Sequence, residues 1–296
     1  MLWYLHVKPR APALDNMILV DANQIAISHL MVRNKIENGI NIDSVRRSIV
    51  RVIARIAKKF GTDYGKVILT YDDKNYWRRE IFPYYKKNRK KEREESKYNW
   101  DEVFSVLNKI RDEVKANLPY HVIQVQGAEA DDIIGTLCIH NSKKETPEPV
   151  LILSADKDFI QLHRFDFVKQ YDPIRNRWIE NDDPIQYLRE HIIRGDRSDG
   201  IPNVLTCDDA IVTGKTQKKM SKEKIATLAT KDSTQFTNYI RCRNWKRNAE
   251  LIDFSRIPEA VTSRIMNTYT KNRPADTINF DYFIQNNIQD LIEEFS

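Results

Sequence analysis

Three short apolar runs in the first 180 residues each lead into an aspartate, and that pattern constrains the fold more than any other feature. Met17–Val20 runs into Asp21, Lys66–Tyr71 into Asp72, and Pro149–Ser154 is followed by Asp156. Apolar runs this short read as buried strands. Between them lie segments of helical spacing. Val45, Ile49, Val52, Ile53, Ile56 and Phe60 precede Gly61, and Val103, Phe104, Leu107, Ile110, Val114 and Leu118 precede Pro119. An apolar residue every third or fourth position gives a helix one buried stripe, and Gly or Pro closes it. Tyr120–Val125 adds a strand, Ala130–His140 a helix, the stretch through Phe159 and Leu162 a short helix, and Phe167–Glu180 a hairpin. This order predicts an α/β fold, a mostly parallel sheet with helices on both faces. After Asp182-Asp183-Pro184 the pattern is helical, with loops around Arg194–Lys222 and Arg273–Thr277. The expected organisation is a tail over 1–16, an α/β domain over 17–182 and a smaller helical domain over 183–296.

Composition narrows the function. Lys and Arg number 48 against 42 Asp and Glu, a net charge of +6. A basic chain that gathers acid at a few points suits a polyanion held beside a metal site. Cys138, Cys207 and Cys242 form no C-x-x-C pair, so the expected compartment is a reducing cytoplasm. No apolar run approaches the ~20 residues of a membrane helix. Met1–His6 is apolar but too short for a secretory signal, and reads as a tail or a partner-binding segment. Gly214-Lys215-Thr216 resembles the end of a phosphate-binding loop, but Asp209 stands where its first Gly belongs. With no G-x-G-x-x-G either, a dinucleotide cofactor is not expected.

In an open parallel sheet, ligands bind beyond the carboxyl ends of the strands. Asp21, Asp72 and Asp156 should therefore converge. Glu129-Ala130-Asp131-Asp132 opens a helix after another strand and reaches the same edge. Asp158 follows closely, and Asp196 and Asp199 sit in Gly195-Asp196-Arg197-Ser198-Asp199-Gly200. Carboxylates so close repel one another. Hard oxygen donors point to Mg²⁺ or Mn²⁺, because the six His (His6, His29, His121, His140, His163 and His191) show no ligand spacing. Two such ions about 4 Å apart serve phosphodiester hydrolysis. Taken singly, any of these Asp residues reads as a cap or a solvated side chain. Asp73 and Asp132 are read that way here.

Asn75 to Arg93 interleaves cations and aromatics: Tyr76-Trp77-Arg78-Arg79, then Pro83-Tyr84-Tyr85-Lys86-Lys87-Asn88-Arg89-Lys90-Lys91. Cations neutralise phosphates and aromatics stack on splayed bases. Trp77, Arg79, Tyr84, Tyr85, Lys87 and Arg89 are the candidate strand-guiding residues. A solvated charged helix is the competing reading, and Glu92, Glu94 and Glu95 favour it for the end of the run.

These motifs, in this order, resemble the flap endonuclease / 5′-3′ exonuclease family over residues 17–200. The resemblance implies a PIN-like α/β domain with a helical arch, followed by a helical DNA-binding domain. It implies a structure-specific 5′ nuclease of RNase H type, using two Mg²⁺ ions to remove primers and flaps. Asp21, Asp72, Glu129, Asp131, Asp156 and Asp158 would surround the first ion, and Asp158, Asp196 and Asp199 the second. Lys86 would be the active-site lysine, Arg78 a phosphate contact and Tyr85 a base-stacking residue. Implied partners are DNA and RNA–DNA hybrid with a 5′ end or flap, with a single-strand-binding protein and a sliding clamp as candidates, the enzyme acting as a monomer. The family usually continues with a Gly-rich hairpin that grips duplex. Here Gly200-Ile201-Pro202-Asn203-Val204 leads into a segment without one, where Lys215, Lys218 and Lys219 offer plain charge instead. Two rival readings remain: a phosphatase built on Asp156-x-Asp158, which leaves Asp196 and Asp199 idle, and a non-catalytic nucleic-acid-binding scaffold.

Overall fold

The computed structural model describes residues 16–33, 40–272, 274 and 277–295, so of the expected tail over 1–16 only Asn16 falls within it. β1 (Met17–Asp21) passes directly into α1 (Ala22–Arg33), and α2 (Ile42–Tyr64) follows. The Asn41 side chain caps α2 by accepting from the Ser44 N–H. Gly61 does not end this helix. The stop is Gly65, whose φ of 70° favours glycine, and where a Cβ would sit 3.0 Å from the Asn16 carbonyl oxygen. Then come β2 (Lys66–Tyr71), α3 (Arg78–Ile81), α4 (Lys87–Glu94), α5 (Trp100–Asn117), β3 (His121–Gln124), α6 (Ala130–Asn141) and β4 (Val150–Leu153). A 3-10 helix over Lys157–Arg164 precedes the hairpin of β5 (Val168–Asp172) and β6 (Arg177–Ile179). α7 (Pro184–Arg194), α8 (Lys222–Ala229), α9 (Tyr239–Ile252), α10 (Glu259–Lys271) and α11 (Phe280–Gln285) complete the helical half.

The six strands lie in the order β3-β2-β1-β4-β5-β6, parallel except for the antiparallel edge strand β6. Side chains alternate across a strand, and the two sets enter different cores. Ile18, Val20, Val67, Leu69, Leu151 and Leu153 pack with α1, α2 and α5. Met17, Leu19, Ile68, Val150 and Ile152 pack with α6. Because both faces are covered, these strands are apolar throughout instead of alternating with polar residues.

The helical half closes both layers. Phe254, Ile257, Val261 and Ile265 join the α6 core, while Ile278, Tyr282, Phe283 and Leu291 join the α2 core. Gly135, inside α6, permits the first of these contacts, since a Cβ there would meet the Phe254 ring at 2.9 Å. Among the described residues no helix is long and apolar enough to cross a membrane.

Candidate metal centre and nucleic-acid interface

β2, β1 and β4 are neighbours, so the residues at their carboxyl ends come side by side. Asp21 accepts from the Gln24 N–H and from the buried Ser154 hydroxyl, both at 3.1 Å. Asp72 accepts the Ala130 N–H at 2.8 Å. That bond ties the end of β2 to the first turn of α6 and brings Asp131 into the group. Asp156 caps the following 3-10 helix by accepting the Asp158 N–H at 2.9 Å. Burial, then repulsion from Asp72 and Asp156, pushes Asp21 up to about 7. Burial, with Asp156 and Asp21 nearby, holds Asp131 far above the ordinary carboxylate range. Burial, aided by Asp199 and Asp196, raises Asp156 as well. Carboxylates that hold protons this firmly lack positive charge. An all-oxygen cluster of that kind fits a hard divalent cation.

A second group lies alongside. Ligand atoms of Asp158, His191 and Asp196 lie within 4.8 Å of one another. His191 Nδ1 is 3.5 Å from Asp158, and its Nε2 is 3.5 Å from Asp196. Burial pushes Asp158 up to about 8 although His191 opposes it. Asp196 is held below its usual range, because His191 and Ser198 outweigh its burial. The loop carrying Asp196 and Asp199 is bracketed by Gly195 and Gly200, with φ of 67° and 74°. A Cβ on Gly195 would lie 2.4 Å from the Ile201 carbonyl oxygen, and one on Gly200 would lie 2.8 Å from that of Tyr84. His191 escaped the sequence reading, since helix α7, a glycine reversal and a residue from another element meet there only in three dimensions.

The arch segment is fastened to this loop at its base. The Lys86 N–H donates to the Asp199 carbonyl oxygen at 2.7 Å, with Lys86 itself at φ 52°. Lys86 Nζ lies 2.5 Å from Glu129 and 3.6 Å from Asp199. The Arg89 guanidinium also pairs with Asp199. Burial works against the Lys86 charge, but Asp199 and Glu129 outweigh it, so its ammonium is retained. Burial likewise works against the Glu129 charge, and Lys86 and Arg78 overcome it and hold Glu129 down at about 2. In this arrangement Glu129 anchors the arch. Beyond that base, α4 buries no residue.

Three of the expected nucleic-acid contacts take other roles. Arg78 is only 3% exposed. It pairs with Glu129 and Asp132 and donates to the Leu251 carbonyl oxygen, which occupies its Nε and Nη1 within the protein. Trp77 is buried in the α6 core and donates its indole N–H to Asp132 at 3.0 Å. Tyr85 is buried, its hydroxyl 2.9 Å from Glu129 and 3.0 Å from Asp199 with its one proton able to go to either, instead of presenting its ring to a base. The aromatic rings gain from leaving water, and the desolvation of the Arg78 charge is offset by Asp132 and Glu129. Arg79, exposed over the Tyr76 ring at 4.4 Å, and Tyr84, Lys87 and Arg89 remain on the accessible side. Lys215, Lys218 and Lys219 are exposed on a separate loop, Lys215 pairing with Asp209 at 2.7 Å. Asp132 closes the α6 capping box and Asp73 accepts the Gly127 N–H, both serving as caps and turn ties.

The family model described as the 5′-3′ exonuclease N-terminal resolvase-like domain matches residues 16–191. The chain belongs to the 5′-3′ exonuclease family. The model for the T4 RNase H C-terminal region matches residues 185–296 of this 5′ nuclease, so the two matches meet within α7. The 5′ nuclease is 33% identical to the ribonuclease H of Enterobacteria phage T4, over 95% of its own length and 96% of that relative. It is 29% identical to a 5′-3′ exonuclease of Buchnera aphidicola subsp. Acyrthosiphon pisum over 53% of its length and 54% of that protein. The fold is shared with the bacteriophage T5 D15 protein co-crystallised with metal ions, at a TM-score of 0.58 and 16% identity over 95% of this chain and all of the other. A D15 flap endonuclease complex with DNA and metal ions gives 0.59 and 18% over 86% and 100%. Membership of that family makes the chain a 5′ nuclease, and the phosphatase reading falls away.

Proposed function

We propose that this nuclease removes RNA primers and 5′ flaps during lagging-strand replication, using two Mg²⁺ ions for which Mn²⁺ can substitute. The observation that carries the reading is the meeting of strand-end carboxylates with an arch whose base holds a buried, charged lysine. Asp21, Asp72, Asp131 and Asp156 would hold one ion, with Glu129 behind them, and Asp158, Asp196 and Asp199 the other. When bound, such ions activate water and stabilise the leaving oxygen. Lys86 offers a fixed cation to the charge that develops on the phosphate. Arg79, Tyr84, Lys87 and Arg89 would guide a single strand, and Lys215, Lys218 and Lys219 would meet duplex backbone. Residues 17–182 form the catalytic unit and 183–296 the DNA-binding unit, working as a monomer in the cytoplasm of an infected host. A single-strand-binding protein and a sliding clamp are the expected replication partners.

The test is cleavage of 5′-labelled flap duplex and of RNA–DNA hybrid. Both should be cut in Mg²⁺ or Mn²⁺ and spared in chelator. Asp156→Asn should lose at least about a hundredfold in turnover while still binding substrate. Near-normal turnover of that variant in Mg²⁺ would overturn the two-metal assignment.

A further inference from the structure

We infer that His191 is a direct ligand of the second metal position, and that its nitrogen biases that position toward Mn²⁺ over Mg²⁺. The inference rests on the two-metal reading above and specifies one of its two positions. His191 is 8% exposed, in the last turn of α7. Its backbone is held by the helix end, where its carbonyl accepts the Gly195 N–H at 2.8 Å. Its two ring nitrogens face Asp158 and Asp196, each at 3.5 Å. That spacing exceeds the roughly 2.7–3.2 Å of an N–H···O hydrogen bond. It lies near the roughly 3.0–3.4 Å that separates neighbouring donors on one cation with bonds of about 2.1 Å.

The donor count points the same way. Asp199 is already engaged by Lys86, Arg89 and Tyr85. Asp158 and Asp196 are therefore the least encumbered carboxylates of that position. His191 supplies a further donor beside them with no rearrangement of the loop. One nitrogen takes the ion, and a small turn of the ring brings the other within hydrogen-bond reach of the facing carboxylate, the usual way such a ring is oriented. Mn²⁺ shares the oxygen preference of Mg²⁺, but as a first-row transition ion it accepts an imidazole nitrogen more readily, so one nitrogen donor among carboxylates shifts the balance toward it. The first position, built only from carboxylates, carries no such bias.

The experiment needs no turnover. Full-length protein with ¹⁵N-labelled histidine is loaded with Mn²⁺ and read by electron spin echo modulation, then compared with unlabelled protein and with His191→Gln. The expected result is one histidine nitrogen coupled to bound Mn²⁺, changed by the label and lost in His191→Gln. Calorimetry should show one Mn²⁺ site of that variant weakened at least about tenfold, with Mg²⁺ binding changed much less. The labelled wild-type protein decides the matter even if the variant folds poorly. Mn²⁺ bound with no histidine nitrogen coupling would overturn the histidine ligand and leave the two-metal reading standing. No Mn²⁺ bound at all would overturn both.

Discussion

Arg78 and Lys86 stand eight residues apart in the same basic run, yet depth separates their roles. The Arg78 guanidinium is enclosed by Glu129 at 2.8 Å, Asp132 at 2.7 Å and the Leu251 carbonyl oxygen. Lys86 sits at the lip, between Glu129 and the loop of Asp199. Deleting one partner of a buried ion pair leaves an uncompensated charge, at a cost of about 3–5 kcal/mol. Arg78→Ala should therefore lower the urea midpoint sharply, with activity lost through unfolding. A variant of wild-type stability that has merely lost substrate affinity would return Arg78 to a phosphate-contacting role. The basic-aromatic composition was visible in the sequence. Which of its members turn inward was not, because acceptors for Arg78 and Tyr85 come from α6, α9 and the Asp199 loop.

At the scale of elements, the site depends on how α7 ends. Gly195 reverses the chain so that Asp196 and Asp199 face the strand ends. The turn is held from below by α9, where the buried Asn248 donates to the Ile192 and Pro202 carbonyl oxygens and Asn244 to those of Val204 and Thr206. Gly195→Ala would place a methyl group 2.4 Å from a backbone oxygen, in a backbone region nearly confined to glycine that costs other residues about 1–3 kcal/mol. Its expected effect is a loss of stability together with divalent-ion affinity weakened at least about tenfold. Gly61→Ala is the contrast. Gly61 lies within α2 with no atom within 4 Å of its Cβ position, so the alanine should stabilise by about 0.5–1 kcal/mol. Thermal melts and metal titrations of the two variants check the pair, and equal outcomes would show that the reversal at Gly195 is not what shapes the loop.

At the scale of the molecule, the acidic edge is a store of repulsion. Asp21 and Asp158, pushed up to about 7 and about 8, bind protons more tightly folded than unfolded. Groups raised in this way make the native state take up protons, so metal-free stability falls as pH rises between about 4 and 8. His191, also raised, works in the same direction above its ordinary value. Glu129 and Asp196, which are lowered, act only in more acid solution. The melting temperature in chelator should thus drop by several degrees from about pH 5.5 to about pH 8. Saturating Mg²⁺ should remove most of that slope, because the cation replaces the protons. A flat or rising profile in chelator would show that the carboxylates are not crowded. The arch has its own whole-molecule consequence. Tethered at both ends beside the site, with α4 fully outside the core, it should admit a frayed strand and refuse a duplex. A free 5′ flap should be cut well, and a flap with a bulky terminal cap or a closed circular duplex poorly. Equal rates on circle and flap would make the arch a landing surface and nothing more.

The short apolar strands, the helix stripes and the aspartates at strand ends were legible in the sequence, because apolar runs, helical periodicity and the placement of ligands in parallel sheets follow from short-range geometry. The sheet, its covering helices and the convergence of Asp21, Asp72 and Asp156 follow from those features alone. Tertiary structure decided the rest. It set Gly65 over Gly61 as the helix stop, since only Gly65 takes the positive φ that ends the helix, packed against Asn16. It sent Trp77, Arg78 and Tyr85 inward, where partners far along the chain satisfy them. It placed His191 between Asp158 and Asp196, a contact that no spacing within one element encodes. Periodicity records which face of an element is buried. The identity of what that face meets depends on crossings between elements distant in sequence.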